Sequence, residues 1–280
     1  MKLIQKIAVD YYRFSLNLLA VLSKRRATEN ALHLFCTPQQ RAVKKTFSIS
    51  ENPEPVSFNL DGITIRGNRW NHPSEKKLLI IHGFESSSVN FGGYIMPLVQ
   101  KGYEVIAFDA PAHGRSGGKQ INLPLYLKTI QQAQELYGPL DNVLAHSYGA
   151  LAATHFMELV PDNEKMRLVL IAPATETTTA IDSFFKLLRL KTSLRKPFDE
   201  LIGEKTGFPP SHFSIRRAAG NIKGPILWIH DENDLITPIG DALRVQEDHH
   251  PNIQFVFTKG LGHRQIYRDP AVMRRVFDFF

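Results

Sequence analysis

The 280-residue chain reads as an α/β fold built on a mostly parallel sheet. Three observations predict this. Short apolar runs recur along the chain, among them Leu78–Ile81, Val143–Ala145, Leu168–Ile171 and Ile226–Ile229. Segments with apolar residues at three- and four-residue spacing separate them, and several runs end in loops rich in glycine and histidine. Continuous apolar runs mark strands buried on both faces. Their alternation with helices implies parallel strands joined by right-handed crossovers.

Composition agrees with a globular protein. The chain is 43% hydrophobic and 22% charged, and its length allows one sizeable core. A single cysteine, Cys36, excludes an intramolecular disulfide and a cysteine-rich metal site, and it fits a reducing compartment. The formal net charge of +7 lies wholly within residues 1–45, which hold nine lysines and arginines against Asp10 and Glu29. The rest is neutral and carries no overall basic signature for nucleic acid.

Residues 1–50 read as an N-terminal helical arm. Ile4, Ile7, Tyr11, Phe14, Leu18 and Val21 form an apolar stripe at helical spacing. Gln5, Lys6, Asp10 and Arg13 interrupt it too often for a signal peptide or a membrane span. Three readings stay open: a helix packed on the main domain, a dimerisation helix, or a helix lying on an anionic membrane through residues 1–26. Glu51-Asn52-Pro53-Glu54-Pro55 reads as a linker, and residues 51–280 as the main domain.

Residues 56–60 and 63–70 alternate around Asp61-Gly62, which predicts a hairpin. Helices are expected over 90–101 and over 122–137, the second burying Leu125, Leu127, Ile130, Ala133 and Leu136. Val143–Ala145 leads into His146-Ser147-Tyr148-Gly149 and then the small-residue helix start Ala150-Leu151-Ala152. Strand, tight turn and helix in that order hold a serine hydroxyl at the top of a strand beside a helix N-terminus, the setting of a nucleophile elbow. The nearly fifty residues 174–222 are too long for a simple connection. They contain an apolar helical set from Ile181 to Leu190, a stretch over 197–210 broken by prolines and glycines, and an excess of basic residues. The last third predicts strands at 225–230 and 253–257, the loop Asp231-Glu232-Asn233-Asp234, the loop Gly260-Leu261-Gly262-His263 and a final helix from Pro270.

With these motifs in place the chain resembles an α/β-hydrolase over residues 55–280. The resemblance is carried by His82-Gly83-Phe84, by Asp109-x-Pro111-x-His113-Gly114-x-Ser116 and by Ala145-His146-Ser147-Tyr148-Gly149, in the family's order. Ala145 and Ala112 stand where glycine is usual, and both are small. The resemblance implies an α/β-hydrolase fold with helices on both faces of the sheet and a helical cap insertion over 174–222. It also implies a Ser147, Asp234 and His263 triad, with Asp231 and Glu176 as competitors for the acid. Phe84 and Tyr148 would supply the amides of an oxyanion hole.

The expected activity is cleavage of a small or lipid-like carboxylic ester through an acyl-enzyme, with no cofactor or metal. The expected partner is a small-molecule acyl ester, not nucleic acid, and the expected location is cytoplasmic with possible peripheral contact at the inner membrane surface. Amide or peptide cleavage by the same residues is the alternative, and a non-catalytic binding protein on the same fold is another. Aspartate does not stand at the Ser147 position, which disfavours an epoxide or haloalkane hydrolase.

Overall fold

The computed structural model describes residues 3–41 and 52–280. In chain order its elements begin with α1 (Leu3–Leu22) and α2 (Lys24–Phe35). The strands β1 (Glu54–Leu60), β2 (Ile63–Trp70) and β3 (Lys77–Ile81) follow, then α3 (Gly92–Gln100) and β4 (Glu104–Phe108). Next come α4 (Leu123–Tyr137), β5 (Asn142–His146), α5 (Tyr148–Met157) and β6 (Arg167–Ile171). The insertion contributes α6 (Thr177–Leu188) and α7 (Arg195–Thr206). The chain ends with α8 (Ile215–Ala219), β7 (Ile226–Asp231), α9 (Ile239–Gln246), β8 (Ile253–Thr258), α10 (Gly262–Gln265) and α11 (Pro270–Phe279).

Two compact units share these elements. One joins the N-terminal residues through Thr37 to Glu176–Ser214, and the other comprises Pro38–Thr175 and Ile215–Phe280. The expected arm boundary near residue 50 lies outside the described residues. So does Glu51, the first residue of the expected linker, whereas Glu54 and Pro55 already belong to β1.

The sheet unit holds eight strands in the order β1-β2-β4-β3-β5-β6-β7-β8. β1 and β2 form the expected hairpin, with Leu60 opposite Ile63. Asp61 and Gly62 both take positive φ, 49° and 80°, as a two-residue hairpin turn needs. β2 runs antiparallel to β4, and every later pairing is parallel. The central strands are buried on both faces, which is why they read as unbroken apolar runs. Leu78, Ile80, Leu144, Val169, Ile171, Leu227 and Ile229 form a core with Tyr94, Leu98, Val272 and Val276 from α3 and α11. Alternate residues face the other way, where Ile81 lies against α5.

The chain passes from β3 to β4 on one side and then to β5 on the other. A crevice opens at such a reversal, outside the carboxyl ends of the strands. The loops after β3, β5, β7 and β8 all leave that same edge, because these strands are parallel.

Two sequence expectations need correction. In α4 the buried face is Leu123, Tyr126, Thr129, Ile130 and Ala133, while Leu136 is exposed. The helix is rotated from the face that leucines alone would choose. Tyr126 turns inward because its hydroxyl donates to the His82 carbonyl at 2.7 Å, a hydrogen bond that apolar spacing does not reveal. The stretch expected to be broken at Pro197 and Gly203 is instead the continuous helix α7. Pro197 lies in its first turn, where a missing N–H interrupts no helical bond, and Gly207, at φ 80°, ends it.

In the smaller unit α1 and α2 pack with helices of the insertion. Arg13 and Asn17 of α1 donate to the carbonyls of Leu187 and Arg189, at 2.9 and 3.2 Å, and so satisfy the C-terminal end of α6. Phe35 of α2 meets Phe184 and Phe198 edge to face, at 5.2 and 5.8 Å between ring centres.

Glycine contacts give a direct test of the sheet unit. A Cβ on Gly149 would lie 2.3 Å from the His82 carbonyl oxygen, so strand and helix would have to separate. A Cβ on Gly240, in the first turn of α9, would meet nothing within 4 Å. Gly149→Ala should therefore cost roughly 2 kcal/mol or more. Gly240→Ala should stabilise by about 0.5–1 kcal/mol, through helix propensity and a less flexible unfolded chain. Urea melts of both variants measure the contrast.

Candidate active site

The turn between β5 and α5 holds Ser147 at φ 55° and ψ −124°, a conformation that side-chain-bearing residues rarely adopt. Its surroundings over-determine it. The Ser147 amide donates to the Ile171 carbonyl at the end of β6, at 3.1 Å. Its carbonyl accepts from Ala150 and Ala174, at 3.0 and 3.1 Å. Gly83 lies so close that a Cβ there would stand 2.8 Å from the Ser147 Cβ. Ala145 is fully buried without positive φ, so the usual glycine is not needed there. Ala112 does take φ 64°, a strain of roughly 1 kcal/mol that glycine would avoid.

The loops after β7 and β8 bring a carboxylate and an imidazole to this serine. His263 Nε2 is 2.9 Å from Ser147 Oγ, and His263 Nδ1 is 2.7 Å from Asp234 Oδ2. The arrangement fits a serine hydroxyl donating to Nε2 and an Nδ1–H donating to the carboxylate. Asp234 Oδ1 accepts from the amides of Ile236 and Thr237, at 2.8 and 3.0 Å. Burial works against a charge on Asp234, but the His263 hydrogen bond and charge, with the donors of Thr237, outweigh it and hold the carboxyl down to about 2. It is thus ionised at neutral pH.

Asp231 and Glu176 take other partners. Asp231 accepts from Thr258 Oγ1, Leu261 N and Asn233 N, tying the end of β7 to the loop that carries His263. Glu176 accepts from Ser214 Oγ at 2.8 Å. The Phe84 ring meets the Tyr148 ring edge to face, 6.1 Å apart, so the loop after β3 lies against the start of α5.

Sequence reasoning missed Thr237. Its hydroxyl donates to Asp234 Oδ2 at 2.7 Å and lies 3.1 Å from His263 Nδ1. The signal was the spacing Asp-x-x-Thr in a turn, where a carboxylate characteristically receives local donors. Three further histidines hold the loops together. His82 bridges the Gly83 carbonyl at 2.7 Å and the Ala110 amide at 2.9 Å. His113 bridges the Pro111 carbonyl at 2.8 Å and the Glu85 amide at 3.0 Å. His146 Nε2 donates to the backbone carbonyl of His263 at 3.0 Å, which fixes the height of that loop above the elbow.

Burial sets a pH dependence. It pushes His113 and His146 down to about 3 each, from an ordinary 6.5, so both are neutral in the folded protein. The unfolded chain takes up protons there as pH falls below 6.5, and the folded chain refuses them until about 3. Stability should therefore fall as pH drops across that window. Asp234 adds its own loss only between its ordinary 3.8 and about 2. His113→Gln should lower stability at neutral pH yet flatten the slope between pH 6 and 4, by at most about 1.4 kcal/mol per pH unit. Urea midpoints at stepped pH test this, and an unchanged slope would contradict it.

Comparison with known proteins agrees with this architecture. The family model described as serine aminopeptidase, S33, matches residues 72–201, a stretch that contains Phe84, Ser147 and Tyr148. An uncharacterized hydrolase of Bacillus subtilis, YugF, is 34% identical over 59 residues, and the match spans only 21% of each chain. The Pyrococcus furiosus esterase Pf2001 superposes with a TM-score of 0.62 at 23% identity, over 87% of this chain and 97% of that one. Est1E of Butyrivibrio proteoclasticus, in its ferulic acid complex, superposes with a TM-score of 0.65 at 19% identity, over 80% and 97% of the two chains. By its strand order and these superpositions, the chain has an α/β-hydrolase fold.

Proposed function

We propose that the protein is a serine hydrolase that cleaves carboxylic esters. The observation that carries this reading is the unbroken hydrogen-bonded line from Ser147 Oγ through His263 to the Asp234 carboxylate. In the proposed reaction, Ser147 Oγ attacks the ester carbonyl carbon while its proton passes to His263 Nε2. Asp234 holds the imidazole in the tautomer that accepts this proton and stabilises the resulting cation. The carbonyl oxygen becomes an oxyanion, held by the backbone amides of Phe84 and Tyr148. As the tetrahedral intermediate collapses, the C–O bond breaks and the leaving alkoxide takes the proton from Nε2. Water then repeats the sequence on the acyl-serine, releasing the acid and restoring Ser147.

Amide cleavage by the same groups is the second reading, and the description of the matching family model favours it. The two differ in their leaving group. An ester expels an alkoxide readily, whereas an amide nitrogen must be protonated by His263 before it leaves.

Turnover of a p-nitrophenyl ester series and of aminoacyl p-nitroanilides separates the two. The ester reading expects measurable hydrolysis of at least one ester with a defined acyl-length optimum. Ser147→Ala should lower kcat at least about a thousandfold without loss of fold, and Asp234→Asn roughly a hundredfold or more. Hydrolysis of the anilides alone would move the assignment to amides. Full activity in Ser147→Ala would overturn both. A protein that neither turns over nor reacts with a fluorophosphonate at Ser147 would be a binding protein on this fold.

A further inference from the structure

Helix α1 has two unlike faces. One buries Leu16 and Ala20 within the smaller unit. The other presents Ile7, Tyr11, Phe14, Leu18, Val21 and Leu22, which are 50–76% exposed. At 100° per residue these six fall within about a third of the helix circumference. Six of the thirteen exposed large apolar side chains among the described residues lie on this one helix. Contiguous exposed apolar surface of this kind marks an interaction site.

The charge around the stripe identifies what it meets. Lys24, Arg25 and Arg26 are exposed directly beyond its Val21-Leu22 end, and Lys6 is exposed at the other. The two acids of the first 45 residues are both engaged with arginine: Asp10 with Arg13 at 2.8 Å, and Glu29 with Arg25 at 3.1 Å. An apolar stripe ending in a cationic cluster matches an anionic bilayer, whose acyl boundary receives the apolar side chains while its headgroups receive the cations. Tyr11 brings the amphipathic ring that favours such an interface. No described helix is long and apolar enough to cross a membrane, so this contact would be made by lying on the surface.

A second copy of the chain fits the stripe less well. From Ile7 to Leu22 it runs roughly 24 Å, and at about 10 Å wide it offers some 240 Å² per copy. A stable dimer buries about 1,200 Å² or more in total. The spacing covers only about two heptads, short of the three or four that a coiled coil needs. Pairing would also bring together two segments of charge +7. We infer that α1, with Lys24, Arg25 and Arg26, is a docking surface for anionic lipid bilayers. This inference is independent of the reaction proposed at Ser147.

Fluorescence of the full-length Phe14→Trp variant tests it. Trp70 and Trp228 are the native tryptophans and both are buried, so the new indole would dominate any spectral shift. Vesicles of phosphatidylcholine with phosphatidylglycerol should shift its emission to the blue, phosphatidylcholine alone should do so far less, and salt should reverse the effect. Co-sedimentation of the wild type should weaken roughly tenfold or more in Phe14→Ser/Leu18→Ser and in Lys24→Gln/Arg25→Gln/Arg26→Gln. All these positions are exposed, so thermal melts should stay close to wild type; if the apolar variant melts early, the charge variant decides. Absence of a blue shift with anionic vesicles, or equal binding by wild type and variants, would overturn the inference. So would a solution dimer that Leu18→Ser dissociates, because the stripe would then belong to a second copy.

Discussion

The backbone turn at Ser147 is the constraint on which the site depends. A serine at φ 55° is held there only because its neighbours leave it no alternative. Its amide and carbonyl are committed to Ile171, Ala150 and Ala174, and Gly83 and Gly149 let β3 and α5 close on it from either side. A side chain at either glycine would collide with backbone or with Ser147 itself. The strain, of order 1–3 kcal/mol, is sustained by the parallel sheet, whose strands β3, β5 and β6 supply those contacts. The same turn sets the serine hydroxyl 2.9 Å from His263.

From the elbow outward, neutral histidines act as cross-links between loops. Each has one nitrogen that can donate and one that can accept, so one ring can join a carbonyl to an amide. His82 and His113 join the loops after β3 and β4 in this way, and His146 ties the elbow to the loop of His263. Burial keeps them uncharged, which suits this role and costs the fold its tolerance of acid. On the opposite side Asp234 stays charged despite burial, because the Ile236 and Thr237 amides, the Thr237 hydroxyl and His263 all donate to it. The site thus separates neutral rings that hold loops from one fixed carboxylate that orients a ring. That division is what the proposed proton transfer requires.

The smaller unit shows a different economy of surface. The N-terminal helices and the insertion are distant in sequence yet share aromatic packing through Phe35, Phe184 and Phe198. Arg13 and Asn17 complete the hydrogen bonding of α6 from outside it. With that face of α1 committed, its apolar stripe is left outward, and the inference about bilayers follows from this division of one helix into two faces.

Sequence by itself determined the strand order in time, the hairpin at Asp61-Gly62, the elbow at Ser147 and the loops that carry Phe84, Asp234 and His263. These are local signals: apolar runs for buried strands, glycines where backbones approach, and small residues around a tight turn. Tertiary structure alone decided which face α4 buries, because the hydrogen bond from Tyr126 to His82 spans 44 residues. It alone showed what the competing carboxylate does, since Asp231, at the end of β7, is bound to Thr258 and Leu261 while Asp234 meets His263. It alone paired the N-terminal helices with the insertion. In each case the deciding contact joins residues far apart in the chain, and periodicity, which reports only a residue's near neighbours, carries no record of it.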